Sequence, residues 1–271
     1  MNAGRAAAAL VLAVFVWPAG AAQETKDVFQ GEAAEEFLRR ARVQRVHDID
    51  IGVTRPQRVT LVRDGVTRMA VFKTINIDNQ RPMRMADGSV QAAFQDSYLT
   101  EIAAYEVDRI IGLGMVPATV RRTILNQTGS LQWWVESMMP EAQRARDGLD
   151  PPDVEAWNRK IYKMRLFDRL ICNVDRHANN MLITADFDLR LIDHSRAFRP
   201  FRELQEPATL RKFSRPLVAG LERLEYGDLR RRVGRYLRDA QIKALLARRD
   251  LILALVKERV AKEGEAAVLY D

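Results

Sequence analysis

The residues best suited to chemistry lie close together in one polar stretch of the chain. Asp175 and Asn180 follow an apolar run that is typical of a helix, and Asp193 comes shortly afterwards. Carboxylate and amide oxygens are ligands of hard divalent cations such as Mg²⁺ or Mn²⁺. We therefore expect Asn180 and Asp193 to be metal ligands and Asp175 to be a base that accepts a hydroxyl proton. The neighbouring Arg176 and His177 are expected to hold this loop by hydrogen bonds.

A predicted β-hairpin brings the two candidate metal ligands together. Its first strand ends at Thr184 and its second begins at Leu189, with a four-residue loop between them. If Thr184 pairs with Leu189, Asn180 lies opposite Asp193. Directly opposed side chains are about 5 Å apart on one face of a sheet, which is close enough to share one cation.

The sequences DRHANN at 175–180 and LIDHS at 191–195 resemble the catalytic segment of atypical kinases with a protein-kinase-like fold. The resemblance is to the phosphatidylinositol 3-/4-kinases and the secretory-pathway (Golgi) kinases. It implies a phosphotransferase that uses ATP and Mg²⁺ or Mn²⁺ to move the γ-phosphoryl group to a hydroxyl on a protein, lipid or sugar. Asp175 would be the catalytic base, and Asn180 and Asp193 the metal ligands. The alternative is a pseudokinase that acts as a nucleotide-binding scaffold or activator.

Lys73 is the predicted contact to the nucleotide phosphates. Alternation along its predicted strand places Lys73 in an apolar stripe with Met69 and Val71, where a buried and unpaired charge would be strongly unfavourable. Lys73 therefore needs an anionic partner. By the resemblance, that partner is Glu101 on the helix that follows, with Glu106 as the alternative.

The resemblance also indicates where the adenine and the phosphates would lie. Trp133–Met138 is similar to the strand that leads to the adenine-binding hinge, so Glu136 and Met138 are candidate nucleotide contacts. Asp64-Gly65 predicts a hairpin turn that pairs the flanking strands. Residues 52–57 would then form a loop over the phosphates.

The sequence departs from that of ordinary protein kinases after Asp193. Asp193-His194-Ser195 stands where many relatives have Asp-Phe-Gly, so one familiar flexible position is absent from the sequence. A helix is expected soon after Phe198-Arg199-Pro200. The sequence therefore predicts no obvious activation segment.

The elements that must position these residues indicate an α+β, bilobal protein-kinase-like fold. We expect an N-terminal lobe at 23–140, with a small antiparallel sheet and one long helix at 97–111. A mainly helical C-terminal lobe at 141–271 would carry the catalytic loop. Its first residues, 141–153, have the composition of a linker. A second hairpin is expected to turn at Thr128-Gly129.

Residues 1–22 have the pattern of a secretory signal peptide. One positive charge at Arg5 precedes the apolar run Ala6–Trp17, and small residues follow at Ala21-Ala22. The run is shorter than the about 20 residues that a membrane-spanning helix needs. The chain is therefore expected to be exported, periplasmic or secreted; without a genuine signal it would be cytoplasmic.

Composition limits the partners of the chain. Its 271 residues include 43 Lys and Arg against 36 Asp and Glu, a net charge of +7 that suits an anionic partner. Nucleic acid is not predicted, because no basic segment is interleaved with aromatic residues. The single cysteine, Cys172, excludes an intrachain disulfide and a cysteine-based zinc site. The run Arg230–Arg232 indicates a solvated helix face or a contact with an acidic membrane surface.

Overall fold

The computed structural model describes residues 29–49, 56–79, 83–84, 88, 90–91 and 94–271. The predicted signal peptide at 1–22 and residues 52–55 of the predicted phosphate loop lie outside these ranges. The helices are α1 (Glu32–Arg40), α2 (Tyr98–Ile111), α3 (Glu141–Arg146), α4 (Val154–Ile171), α5 (Arg215–Glu222), α6 (Tyr226–Val233), α7 (Asp239–Glu263) and α8 (Glu265–Val268). The strands are β1 (Arg42–Asp48), β2 (Gln57–Arg63), β3 (Val66–Lys73), β4 (Asn76–Asp78), β5 (Met83–Arg84), β6 (Val90–Gln91), β7 (Gln95–Ser97), β8 (Thr119–Ile124), β9 (Gln127–Trp133), β10 (Met139–Pro140), β11 (Met181–Ile183), β12 (Leu189–Leu191), β13 (Phe213–Ser214) and β14 (Leu269–Tyr270).

An antiparallel five-stranded sheet, in the order β1-β2-β3-β9-β8, forms the N-terminal half of the fold. The turn Asp64-Gly65 joins β2 to β3 and pairs Arg63 with Val66. Both turn residues have positive φ angles, 50° and 76°, as tight two-residue hairpins require. The hairpin predicted at this position is confirmed.

The turn between β8 and β9 lies earlier in the chain than predicted. It is formed by Leu125-Asn126, with φ angles of 48° and 63°, and not by Thr128-Gly129. Gly129 lies inside β9, where a Cβ atom would be 2.2 Å from the carbonyl oxygen of Lys73. The glycine allows two strands to approach closely and takes no part in the turn. The second hairpin is confirmed, but the predicted position of its turn was wrong.

Helix α2 contacts β8 and β9 and carries Glu101 in its first turn. It begins after Ser97, whose side chain accepts a hydrogen bond from the N–H of Leu99. It ends at Gly112, which has a φ angle of 74°. Glycine tolerates this left-handed conformation without strain, and this ends the helix. The helix predicted at 97–111 is confirmed.

Helix α4 supports the helical C-terminal half and contacts α7. The side chain of Asp153 accepts a hydrogen bond from the N–H of Ala156 and caps the start of α4. Cys172 ends the helix with a φ angle of 50° and is buried. The apolar stripe predicted for this helix is buried at Trp157, Met164, Phe167 and Ile171 and half-buried at Ile161.

Two segments of this half differ from their predictions. The composition of 141–153 predicted a linker, but the segment begins with α3, where Arg144 pairs with Glu141 at 2.6 Å. Conversely, no α-helix follows Phe198 closely, since the next α-helix is α5, which begins at Arg215. The intervening chain is mostly irregular, so the expected early helix was wrong.

The irregular chain after β12 is fastened to α4 and α7. The N–H of Phe198 donates to the Ile171 carbonyl at 2.6 Å, and the Gln241 side chain donates to the Phe198 carbonyl at 2.9 Å. Arg248, which is fully buried, donates to the carbonyl of Phe201. Contacts to backbone atoms thus hold this segment from two helices.

The hairpin of β11 and β12 is one residue out of the predicted register. Ile183 pairs with Leu189, and the N–H of Thr184 donates to the Asp188 carbonyl at 3.0 Å. The loop therefore has three residues and not four. Its last residue, Phe187, has a φ angle of 57°. A residue in the left-handed region is typical of three-residue hairpin loops, and nothing in a phenylalanine predicts it.

Buried apolar side chains from both halves form one continuous cluster. Phe72 and Leu131 contribute from the sheet, and Phe167 and Leu245 contribute from the helices. In the described ranges, no helix is both long and apolar enough to cross a bilayer. The architecture is α+β, with an antiparallel sheet and one long helix followed by a mainly helical half, as predicted.

Candidate active site

Lys73 ends β3 with its side chain 14% exposed. Ala70 and Phe72 are the buried positions of this strand, whereas Met69, Val71 and Lys73 are half-buried. Because side chains alternate along a strand, Lys73 points to the sheet face opposite Ala70 and Phe72. The predicted stripe is therefore the less buried face of β3, and the lysine can be reached from solvent.

Lys73 forms ion pairs with two carboxylates from distant parts of the chain. Its Nζ is 2.5 Å from Glu101 Oε1 and 2.7 Å from Asp193 Oδ1. Glu106, the alternative partner, instead lies 3.5 Å from Arg232. The structure thus brings Lys73, Glu101 and Asp193 together, with the Glu101 side chain 2% exposed and the Asp193 side chain 33% exposed.

The ion pairs determine the protonation states of Lys73 and Asp193. Burial alone would lower the pKa of Lys73, but Glu101 and Asp193 outweigh it and hold the pKa above its usual value. Burial alone would raise the pKa of Asp193, but Lys73 outweighs it and holds the pKa below its usual value. Lys73 and Asp193 are therefore both charged at neutral pH.

Asn180 and Asp193 lie at the same end of the β11–β12 hairpin but do not face each other across it. Asn180 precedes β11 and faces Ile192, whose N–H donates to the Asn180 carbonyl at 3.1 Å. The predicted pairing of Asn180 with Asp193 is wrong, because the hairpin loop is one residue shorter than expected. Asp193 instead follows β12 with a φ angle of 59° and contacts Lys73.

Arg176 holds the loop between α4 and β11 to both strands of the hairpin. Its guanidinium contacts both carboxylate oxygens of Asp168, at 3.0 and 3.1 Å. Its Nη1 also donates to the carbonyls of Asn180 and Ile192, at 2.9 and 2.7 Å. Both side chains of the ion pair are buried, with 8% and 5% exposed. These contacts fit the structural role expected for Arg176.

His194 connects Glu101 to Arg176. Its backbone N–H donates to Glu101 Oε2 at 2.9 Å, and its Nε2 lies 2.8 Å from Arg176 Nη2. Arginine can only donate, so Nε2 accepts and the ring proton lies on Nδ1. Burial, together with Arg176 and Lys73, lowers the pKa of His194 well below its usual value. The ring is therefore neutral, and it packs edge-on against Phe167.

The side chain of Asp175, the candidate base, is 38% exposed to solvent. Its Oδ2 lies 3.5 Å from Arg196 Nη1, and the Nε of Arg196 lies 3.6 Å from Asp96. The same guanidinium lies 5.7 Å from the ring of Phe94. On its other side, the N–H of Asp175 donates to Asn173 Oδ1 at 3.3 Å. Arg196 thus orients the carboxylate and offers a positive charge beside it.

The predicted hinge residues lie on the connection from the sheet to the helical half. β9 ends at Trp133, so the strand is shorter than the predicted Trp133–Met138, and residues 134–138 lead irregularly into β10. Glu136 is exposed and Met138 is 46% exposed. The N–H of Met138 donates to the Ile183 carbonyl at 2.8 Å. In the part of the chain that the structure describes, neither Glu136 nor Met138 directly contacts the cluster around Lys73.

Asn180 and Asp193 are the residues that would hold a divalent cation at this end of the hairpin. Both offer oxygen ligands, and Asn180 Nδ2 is 3.1 Å from His177 Nε2, which orients the amide. Among the described residues, no group of three or more His, Cys, Asp or Glu side chains is arranged to hold a metal ion. Mg²⁺ is usually held by one or two carboxylates together with substrate phosphates. A metal at Asn180 and Asp193 would therefore need further oxygen ligands from a bound phosphate.

The fold is that of atypical protein-kinase-like proteins. The structure of hydra Fam20 with sugar superposes with a TM-score of 0.65 at 14% identity, covering 88% of this chain and 91% of that one. The Golgi casein kinase with Mn/ADP bound has a TM-score of 0.59 at 16% identity, with 88% and 78% covered. The Helicobacter pylori proinflammatory kinase CtkA has a TM-score of 0.52 at 10% identity, with 83% and 97% covered.

Comparisons at the level of sequence add nothing to this likeness. No protein-family model matches the chain, and no curated protein is significantly similar to it. The similarity therefore resides in the three-dimensional arrangement, where the resemblance predicted from two short motifs is confirmed at the level of the fold.

Sequence reasoning missed the roles of His194 and Arg196. His194 was noted only as a departure from a familiar motif, yet its backbone holds Glu101. Arg196 contacts Asp175 across a sequence separation that no local pattern reveals. Their one signal in the sequence is their nearness to Asp193, since the chain after a site residue often lines the same site.

Proposed function

We propose that the chain is an ATP- and divalent-metal-dependent phosphotransferase that moves the γ-phosphoryl group to a hydroxyl acceptor. The observation that carries the proposal is the position of Lys73 between Glu101 and Asp193, at 2.5 and 2.7 Å. A lysine fixed by a buried carboxylate is suited to bind phosphate oxygens at a defined position. Asp193 beside it is suited to bind the metal that accompanies those phosphates.

Each residue then has a separate role in the reaction. Lys73 neutralises charge on the α- and β-phosphates, and Glu101 orients Lys73. Asn180 and Asp193 hold the cation, which when bound would neutralise charge on the phosphate oxygens. Asp175 accepts the proton of the acceptor hydroxyl. The acceptor oxygen bonds to the γ-phosphorus as the bond to the bridging oxygen breaks, and ADP leaves.

Glu136 and Met138 would contact the adenine from the connection between the two halves. Both are exposed, as a nucleotide contact on the free protein requires. Mn/ADP is present in one of the similar structures, the Golgi casein kinase, which supports the same pair of cofactors here. The acceptor class stays as broad as the resemblance implies: a protein, lipid or sugar hydroxyl.

Thermal unfolding with and without Mg²⁺ or Mn²⁺ and ATP tests the proposal, with ADP release measured in parallel. A ligand at 100 times its dissociation constant should stabilise the chain by about 2.7 kcal/mol. Asp193→Ala should lose this stabilisation. Asp175→Ala should keep most of it and lose turnover. Asp150→Ala, an exposed position before α4, serves as the control and should keep both.

The outcomes separate the two candidate functions. If neither metal nor ATP shifts the unfolding of the parent chain, the phosphotransferase proposal fails. Stabilisation without turnover on protein, lipid or sugar acceptors would favour the pseudokinase. An Asp175→Ala variant with full turnover would remove only the assignment of the base.

Export is part of the same proposal. The predicted signal peptide at 1–22 would direct the chain out of the cytoplasm, and the similarity to a Golgi kinase agrees with a secretory location. Fractionation of cells that express the full chain, with a variant lacking 1–22 as control, tests it. Retention of both forms in the cytoplasm would contradict export.

A further inference from the structure

A cavity of about 440 Å³ lies outside the cluster around Lys73. It is bounded by the paired strands β4 and β7, the first turn of α2 and the chain that joins α6 to α7. Its volume is in the range of small-ligand sites. None of the residues assigned to phosphoryl transfer lines it.

The lining of this cavity carries an excess of positive charge. Arg230, Arg235 and Arg238 line it together with Asp78 and Asp239. Both carboxylates are already engaged: Asp78 pairs with Arg238 at 3.1 Å, and Asp239 pairs with Lys243 at 2.7 Å. Arg230 and Arg235 thus form no ion pair with either carboxylate, although the charge of Arg230 also acts on Asp239.

The contacts of these two arginines leave them free to bind an anion. Arg230 donates to the Gly234 carbonyl at 3.2 Å, and Arg235 lies 5.8 Å from the ring of Tyr236. Among the described residues, no carboxylate oxygen lies within ion-pair distance of either guanidinium, and Asp239 is the carboxylate on which the charge of Arg230 acts. The cavity also includes the start of the 25-residue helix α7, and a helix N-terminus carries partial positive charge. Guanidinium groups bind phosphate through paired hydrogen bonds, so phosphate is the chemistry that this lining favours.

The cavity is connected to the cluster around Lys73 through α2. Ser97 lines the cavity and caps α2, and Leu99, which donates to the Ser97 side chain, also lines it. Glu101 follows within the same first turn and holds Lys73. A ligand that fills the cavity would therefore contact the turn that positions Glu101.

We propose that this cavity is a regulatory site for a small phosphate-bearing ligand, bound by Arg230 and Arg235, that steadies the first turn of α2. The regulatory part rests on the phosphotransferase function proposed above, whereas the binding part does not. Binding can therefore be measured without catalysis and without nucleotide.

The test compares two double variants of the full chain. Arg230→Gln with Arg235→Gln removes the free charges from the cavity. Arg223→Gln with Arg231→Gln removes two exposed arginines that do not line it and serves as the matched control. Tripolyphosphate is titrated by calorimetry in EDTA, so that no metal supports binding at Asp193. Amide hydrogen exchange of α2 is followed in the same samples.

We expect the parent and the control to bind tripolyphosphate, and the cavity variant to bind at least tenfold more weakly. Exchange in the first turn of α2 should slow on binding in the parent and in the control only. Equal binding by both double variants, or no binding by the parent to any phosphate probe, overturns the site. Binding without slower exchange overturns its link to α2.

A second arm distinguishes a soluble ligand from a lipid headgroup. Vesicles of phosphatidylcholine with and without phosphatidylinositol 4-phosphate are sedimented with each variant. If only the phosphoinositide vesicles bind, and binding needs Arg230 and Arg235, the phosphate is that of a lipid. If tripolyphosphate binds and the vesicles do not, the ligand is soluble.

Discussion

Lys73 Nζ lies 2.7 Å from Asp193 Oδ1, although 120 residues separate the two positions in the chain. The contact ties the end of β3 to the loop after β12, so it fixes the sheet against the helical half at the candidate active site. Glu101 completes the cluster from α2. One ammonium group therefore holds together three elements, and its loss would leave two carboxylates close together in a mostly buried place.

Replacing Lys73 with Met should lower phosphoryl transfer by about 100-fold or more, because a positioned group that stabilises developing charge contributes that much. The rate of ADP release under saturating metal and ATP is the measurement. Lys257→Met, at an exposed position on α7, should leave the rate unchanged. A Lys73→Met chain that works at the parent rate would show that another group binds the phosphates.

Replacing Arg176 with Lys should destabilise the fold by about 3 kcal/mol, the usual loss when a buried ion pair is broken. A lysine cannot keep the two-point contact with Asp168 and also reach the carbonyls of Asn180 and Ile192. Urea unfolding measures the loss. Arg169→Lys is the control, since its partner Glu206 is 66% exposed and such surface pairs contribute about 1 kcal/mol or less. Equal effects at the two positions would contradict the structural role of Arg176.

Replacing Gly129 with Ala should destabilise the sheet by about 3 kcal/mol, because the added Cβ would lie 2.2 Å from the carbonyl of Lys73. Strands β3 and β9 would have to separate at the position that carries the lysine. Both urea unfolding and the ATP-induced shift in melting should therefore change. Gly227→Ala is the control, because its nearest side-chain atom would be 3.4 Å away. A neutral Gly129→Ala would show that the strands can move apart easily.

Asp108 predicts a dependence of stability on pH. Its carboxylate accepts the N–H groups of Gly114, Met115 and Val116, yet burial raises its pKa from 3.8 to about 6. The folded protein therefore binds the proton of the Asp108 carboxyl group more tightly than the unfolded chain does. This tighter binding stabilises the fold, and the stabilisation is fully present below about pH 4. It is lost as the pH rises through the folded pKa of about 6.

The measurement is the free energy of unfolding of the parent between pH 4 and pH 6, relative to Asp108→Asn. As the pH rises, the free energy of unfolding of the parent should fall by about 1 kcal/mol per pH unit relative to Asp108→Asn. This slope is close to the largest that the release of one proton can give. Asp250→Asn, an exposed position on α7, should run parallel to the parent. Parallel curves for the parent and Asp108→Asn would contradict the assignment.

The sequence predicted those parts of the site that depend on local patterns. Alternation in β3 placed Lys73 correctly on its strand, and Asp64-Gly65 set the register of β2 against β3, because this dipeptide adopts positive φ angles readily. The helix predicted at 97–111 corresponds to α2, which carries Glu101 in its first turn. The resemblance in two short motifs then indicated the fold.

The parts that the sequence did not predict depend on unusual backbone conformations and on distant packing. Phe187 and Leu125 both have positive φ angles, which their side chains give no reason to expect. The conformation of Phe187 shortens the β11–β12 loop, so Asn180 pairs one residue away from the predicted position. The conformation of Leu125 places the β8–β9 turn earlier in the chain than predicted. The contacts of Arg196 and His194 depend on where an irregular loop runs, which only the folded chain decides.

The hydrogen bonds that hold the irregular segment after β12 against α4 and α7 have a consequence for regulation. Because Phe198 and Phe201 are tied by their backbones to α4 and α7, this stretch is part of the molecular framework and is set when the protein folds. Here the stretch is already in place, so under the proposed function its ordering would not be a control step, and regulation would act elsewhere, as proposed for the cavity beside α2.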